Sequence, residues 1–185
     1  ARGGTGLLIM EGTQPVQKLP KRHHITDDKY IPALKRVTDA VHEAGGLITS
    51  QLLPHRGTDD ELNPLAPSPL TTPEGEDIPA ITKDELQALI QEYGEGAKRA
   101  FQAGFDAIEI HGATGYLLQM FMSPATNHRD DEYGGSLENR TRFARELLQV
   151  TRENTAEDFP VWFRICGNEF FDDGIDPAEA NRIAK

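Results

Sequence analysis

Short apolar runs set between long amphipathic stretches are the feature that most restricts how this chain folds. Leu7-Leu8-Ile9-Met10, Leu47-Ile48-Thr49-Ser50-Gln51, Phe105 to Ile110 and Pro160 to Ile165 read as buried strands. The stretches between them carry apolar residues at helical spacing. Tyr30 to Ala44 presents Leu34, Val37, Ala40 and Val41, and closes at Gly45-Gly46. The capping box Thr82-Lys83-Asp84-Glu85 opens a second helix whose face is Leu86, Ile90, Tyr93, Ala97 and Phe101. Ser136 caps a third, which holds Phe143, Leu147 and Val150, and Asp176-Pro177 starts a fourth. The order β-α-β-α-β-α-β-α implies parallel strands joined by right-handed crossovers, an α/β fold. Two long connections, Leu52 to Ala80 and Ala113 to Gly135, show no period and read as loops of functional length.

Each strand ends in a side chain that a core does not favour: Glu11, Gln51, His111 and Arg164. In a (β/α)₈ barrel the C-terminal strand ends share one face, which carries the active site. Taken singly, these residues also have structural readings. A strand-end Gln bonds backbone, and a strand-end His packs. Arg164, inside Val-Trp-Phe-Arg-Ile, is expected to be buried and therefore to need a partner. Glu109 and His111 share a strand face, and His23-His24 forms a pair, but no third residue completes a metal-binding spacing. No phosphate-cradling glycine motif is present.

The formal net charge of −11 excludes the basic footprint of a nucleic-acid binder. No apolar run approaches the roughly 20 residues that span a bilayer, and no signal-peptide pattern occurs. Cys166 is the only cysteine, so the chain holds no internal disulfide and no four-cysteine cluster, and a reducing cytoplasmic setting is the expectation. The chain starts without Met and ends at Lys185, about two turns into the last helix. Residues 1–185 are therefore expected to be one incomplete domain, truncated at both ends. Alone, it is expected to leave open sheet edges and to hold a cofactor weakly.

The run Gly104-Phe105-Asp106-Ala107-Ile108-Glu109-Ile110-His111-Gly112-Ala113-Thr114-Gly115-Tyr116-Leu117 is long and specific. It is followed by Ser123-Pro124, Asn127, Arg129, Asp131-Glu132-Tyr133-Gly134-Gly135-Ser136, Glu138-Asn139-Arg140 and Arg142-Phe143. The segment closely resembles the Old Yellow Enzyme family of FMN-containing ene-reductases and NAD(P)H:flavin oxidoreductases. Gly4 to Thr13, Gln51 and Arg164 fit the same family in the same order. The resemblance implies a (β/α)₈ TIM barrel, seen here as about four βα units, with FMN at its mouth and NADH or NADPH as reductant. By that resemblance the backbone at Gly12 passes close to the flavin ring, Gln51 bonds the pyrimidine edge, and Arg164 lies at the N1/C2 carbonyl end. His111, with Thr114, would grip the electron-withdrawing oxygen of an activated alkene. Tyr116 would deliver a proton as general acid, a role that suits a phenol because it stays protonated at neutral pH. The Tyr133 to Arg140 stretch reads as structural, with Arg140 and Arg142 tying the loop to acidic neighbours.

Two positions depart from the family pattern. Thr114 stands where Asn or His is usual, which shifts the grip on the substrate oxygen toward His111 or a water. After Gln51, His55-Arg56-Gly57 does not match the usual His-x-Gly-Arg in register, so no role is assigned to it. The implied partner is a small electrophilic alkene, and an oligomer is compatible with the sequence. An iron–sulfur cluster, found in the longer dienoyl-CoA-reductase-like branch, would lie outside this segment. A barrel lyase or aldolase using His111 and Glu109 for proton transfer stays open beside this reading. So does a barrel that binds without catalysing.

Overall fold

A computed structural model of the chain describes residues 1–15, 24–55, 64–72 and 75–185. In chain order the elements are β1 (Leu7–Thr13), α1 (Ile31–Glu43), β2 (Leu47–Leu52), β3 (Leu70–Thr71), β4 (Asp77–Ile78), α2 (Lys83–Gln102), β5 (Ala107–Gly112), α3 (Leu117–Met122), α4 (Leu137–Arg140), α5 (Arg142–Glu153), β6 (Val161–Ile165) and α6 (Pro177–Ile183). A short 3₁₀ turn, Asp28–Tyr30, leads into α1. The order of strands in the main sheet is β1-β2-β5-β6, parallel as the alternation requires. This is the βα repeat of a (β/α)₈ barrel. The segments Lys18 to His23 and Arg56-Gly57 lie outside the described residues.

The chain divides into two compact units, the first made of Ala1–Pro54, Ala88–His111 and Leu147–Phe163. Its buried core includes Leu89, Ile90, Tyr93, Ala97 and Ala100 of α2 and Ile48, Leu52, Ile108 and Ile110 of the strands. Phe101, expected on that face, is 41% exposed and meets Phe159 edge-on at 5.2 Å. The buried stripe turns by one residue onto Ala100. The face of α1 differs too. Leu34 is buried, but Val37 is 43% exposed, and the fully buried position is Thr38, whose hydroxyl donates to the Ala103 carbonyl at 2.6 Å. Gly45, at φ +77, closes α1 as the sequence suggests, with the Gly46 N–H donating to the Val41 carbonyl at 3.1 Å.

The second unit comprises His55–Gln87, Gly112–Glu146 and Arg164–Lys185. Its two long connections are not irregular throughout. The first contains the antiparallel pair β3 and β4, with Leu70 opposite Ile78. The second contains α3, all six of whose residues are buried. Two-residue strands are too short to show alternation, and a helix buried all round has no amphipathic signature. The expected third helix begins at Ser136, whose hydroxyl accepts from the Asn139 N–H at 3.2 Å. It then breaks at Thr141, whose hydroxyl donates back to the Leu137 carbonyl at 2.9 Å, and restarts as α5. The expected capping box is present: Thr82 and Glu85 bond reciprocally.

The Phe121 ring packs edge-on against Phe143 at 5.0 Å and Tyr133 at 6.2 Å. Asn127 ties this cluster by donating to the carbonyls of Phe121 and Tyr133. Gly134 is required here, since a Cβ would lie 2.0 Å from the Arg129 carbonyl oxygen. Arg140 pairs with Glu179 and donates to the Met122 carbonyl at 3.0 Å, as expected of a structural residue. Arg142 binds the backbone carbonyl of Glu132 rather than an acidic side chain.

Arg129 donates to the Pro67 and Ile81 carbonyls, each at 2.9 Å, and pairs with Asp131 at 2.6 Å. The hydrogen bond from this guanidinium holds the Asp131 carboxyl below its ordinary value. A carboxylate whose pKa is lower folded than unfolded adds stability above the unfolded value and loses it as pH falls through the folded one. Asp131→Asn is therefore expected to lower urea stability at pH 7, with the deficit shrinking as pH drops below about 4. A deficit of constant size from pH 7 to pH 2.5 would contradict this.

Candidate active site

The first unit gathers its polar strand residues by register. Gln51 of β2 lies opposite Glu109 of β5 in the parallel ladder. Side chains at paired positions point to the same face, so the Gln51 Nε2 donates to Glu109 Oε1 in a close contact. Trp162 of β6 donates its indole N–H to the other carboxylate oxygen at 2.9 Å. Glu109 is only 5% exposed. His111, two residues further along β5, is also buried.

β1 does not stop at Glu11, as the sequence suggests, but continues to Thr13. The ladder with β2 slips in between. Met10 pairs with Ser50 and Thr13 with Leu52, so Glu11 and Gly12 together face Gln51. That is a β-bulge, a device common at barrel rims and beside active sites. The Thr13 hydroxyl braces it by donating to the Glu11 carbonyl at 3.2 Å. A Cβ on Gly12 would meet the Gln51 Oε1 at 3.6 Å and Leu53 carbons at 3.8 Å, ordinary contacts. The chain itself therefore does not forbid a side chain at position 12.

Thr114 and Tyr116 belong to the second unit, in the turn that follows β5. Thr114 has φ +62 and Gly115 φ +76, two consecutive left-handed residues. Glycine adopts this readily, whereas a β-branched residue is strained there. The Thr114 hydroxyl donates to the Ala113 carbonyl at 2.7 Å. The turn is held from below by Gln119 of α3, a residue that sequence reasoning missed. Its Oε1 accepts from the Gly115 N–H at 2.8 Å, and its Nε2 donates to Glu169 at 2.6 Å. Ser123 and the Ile175 N–H donate to the other Glu169 oxygen, each at 2.6 Å. Tyr116 is half-buried at the N-terminus of α3, where its carbonyl accepts from Met120. A cleft of about 490 Å³ opens beside the turn, lined by Thr114, Gly115, Met120, Cys166, Asn168 and Phe171 among others.

Arg164 departs from expectation. It is exposed rather than buried. Of the six expected site residues, Gly12, Gln51 and His111 fall in the first unit, and Thr114, Tyr116 and Arg164 in the second. The structure brings Gly12 to Gln51, and Thr114 and Tyr116 share one turn. Trp162 had no site role in the sequence, and Glu109 entered only as a weighed metal ligand and as a proton-transfer residue in the lyase or aldolase reading. The signal that points to them is the register of Gln51 with Glu109, which appears only once strands are paired. Among the described residues, no group of three or more His, Cys, Asp or Glu side chains is placed to hold a metal. Likewise, no helix among them is long and apolar enough to cross a membrane.

The profile of the NADH:flavin oxidoreductase / NADH oxidase family matches residues 1–185. An NADPH dehydrogenase of Clostridium acetobutylicum is 40% identical over 190 residues, covering 98% of this chain and 56% of that protein. The structure of an Old Yellow Enzyme homologue from Zymomonas mobilis superposes with a TM-score of 0.84 at 31% identity, over 96% of this chain and 55% of that one. Histamine dehydrogenase from Rhizobium sp. 4-9 superposes with a TM-score of 0.85 at 34% identity, over 98% of this chain and 28% of that one. The chain thus spans about half the length of the first two and about a quarter of the third.

The strain at Thr114 has a measurable consequence. Asn tolerates the left-handed region far better than Thr, by on the order of 1 kcal/mol. Thr114→Asn is expected to raise the melting temperature by a few degrees. Gln119→Leu is expected to lower stability by about 1–3 kcal/mol, since it leaves the Gly115 N–H and the buried side of Glu169 without their partner. A melting temperature unchanged in both variants would show that the turn is not held as described.

Proposed function

The chain belongs to the NADH:flavin oxidoreductase / NADH oxidase family, and on that premise we propose that the protein transfers hydride from NADH or NADPH, through FMN, to an activated C=C bond. The observation that carries this reading is the Gln51 amide presented beside the bulge at Gly12. An amide offers a donor and an acceptor side by side, which suits the pyrimidine edge of a flavin. The glycine is not demanded by crowding within the chain, so its use fits the close approach of a flat ligand. These residues fit FMN. Arg164, whose side chain is exposed, supplies a cation suited to the charge that gathers at the N1/C2 carbonyl end.

Bound FMN would supply the hydride relay between nicotinamide and alkene. The chain's own residues do the rest. His111 grips the carbonyl or other withdrawing oxygen of the substrate, which makes the β-carbon electrophilic. Thr114 contributes less, because its hydroxyl donates to the Ala113 carbonyl. Tyr116 gives its phenolic proton to the α-carbon as the β-carbon takes hydride, and recovers a proton from solvent. The net change is addition of one hydride and one proton across the double bond, with NAD(P)H oxidised to NAD(P)⁺. The lyase or aldolase reading has no observation in its favour beyond the placement of Glu109 and His111.

A second reading comes from the likeness to histamine dehydrogenase, whose name describes amine oxidation. In that case the protein would take hydride from a carbon bearing nitrogen, and no nicotinamide would be needed. Stopped-flow spectroscopy separates the two. Flavin bleached by NADH or NADPH and recoloured by cyclohexenone supports ene reduction, and bleaching by histamine alone supports amine oxidation. Under the first reading, Tyr116→Phe is expected to slow recolouring by enone on the order of 10²- to 10⁴-fold, with bleaching by NADPH unchanged. Equal rates of recolouring in both proteins would remove Tyr116 as proton donor.

A further inference from the structure

Glu109 is a carboxylate buried at 5% exposure in a position where a neutral residue would pack at lower cost. Both of its oxygens accept bonds, one from the Gln51 Nε2 and the other from the Trp162 Nε1 at 2.9 Å. What a carboxylate adds over a neutral acceptor is that it cannot donate. The Gln51 amide can therefore meet it only through its NH₂ group, and its carbonyl oxygen must turn away, to the side of Gly12. A glutamine left to itself has two nearly isosteric orientations, with donor and acceptor exchanged. Its NH₂ and carbonyl would then meet a ligand in either order.

We infer that Glu109 is a positioning residue that acts through Gln51, fixing which end of that amide donates and which accepts toward the cofactor. The inference rests on the reading that Gln51 addresses the pyrimidine edge of FMN. That edge presents carbonyl, N–H and carbonyl in sequence, so an amide in the wrong orientation sets donor against donor and acceptor against acceptor. Trp162 completes the arrangement by occupying the second carboxylate oxygen, so that Glu109 keeps one oxygen for Gln51. The competing role is a plain cross-brace of three neighbouring strands, in which the trio would stabilise the sheet and leave cofactor binding alone.

The test is a double-mutant cycle on the FMN-loaded protein, with FMN affinity read by flavin fluorescence and the midpoint potential measured in parallel. Glu109→Gln offers Gln51 both a donor and an acceptor, so the amide is released to flip. This variant is expected to weaken FMN binding on the order of tenfold and to shift the potential. In a Gln51→Met background the same change is expected to do neither, because the residue through which Glu109 acts is gone. Equal affinity in wild type and Glu109→Gln, or an effect of the same size in both backgrounds, overturns the inference. A loss of melting temperature with affinity and potential unchanged does so as well. If Glu109→Gln does not fold, Glu109→Asp keeps the carboxylate and shortens its reach, and an affinity within twofold of wild type overturns the inference in the same way. A Gln51→Met variant with unchanged affinity would instead sink the flavin reading of Gln51.

Discussion

The pairing of β2 with β5 sets Gln51 directly against Glu109, and the chemistry proposed for this protein depends on that register. Side chains on a strand alternate, so a slip of one residue would send Gln51 to the helix-covered face and put a residue such as Leu52 in its place. The same ladder sets His111 on the face of Glu109, two residues on. On the other side of β2, the ladder with β1 does slip, and the extra residue is what exposes Gly12 to Gln51. Regular pairing on one side and a bulge on the other produce an oriented amide next to a stretch of bare backbone.

The second unit uses a different device. Its catalytic candidates lie on a turn rather than a strand, and a turn needs external support to hold a shape. Gln119 and Glu169 supply it, linking the Gly115 N–H to α3 and to the segment after β6. The strained φ of Thr114 is tolerable because these bonds over-determine the turn. The departure from Asn or His at this position thus has two consequences: a shorter arm toward substrate, and a less comfortable backbone. The short arm follows from a hydroxyl carried directly on Cβ, and the backbone strain from branching at that carbon.

Much of this was legible in the sequence. The four sheet strands, the capping box at Thr82, the cap at Ser136, the glycine closure of α1 and the Asp176-Pro177 start of α6 all stand where local chemistry indicates. These are signals contained within a few residues. The misreadings came where burial was inferred from pattern. Phe101 and Val37 belong to plausible helical stripes yet face outward, while Ala100 and Thr38 are buried in their place. Arg164, too, was expected to be buried and is exposed. α3 was missed because it is buried on every side and Gln119 is its one polar residue, so no polar face reveals its period.

By itself the sequence determined the alternation of sheet strands with helices, the parallel sheet and the identity of the polar residues near the strand ends, since propensity, periodicity and capping act over short distances along the chain. Only the tertiary structure decided which of those residues touch. The bond between Gln51 and Glu109 spans 58 positions and that between Glu109 and Trp162 spans 53. Whether such a pair meets depends on strand order, register and a single inserted residue. Those are properties of how strands lie against one another, and no local pattern encodes them.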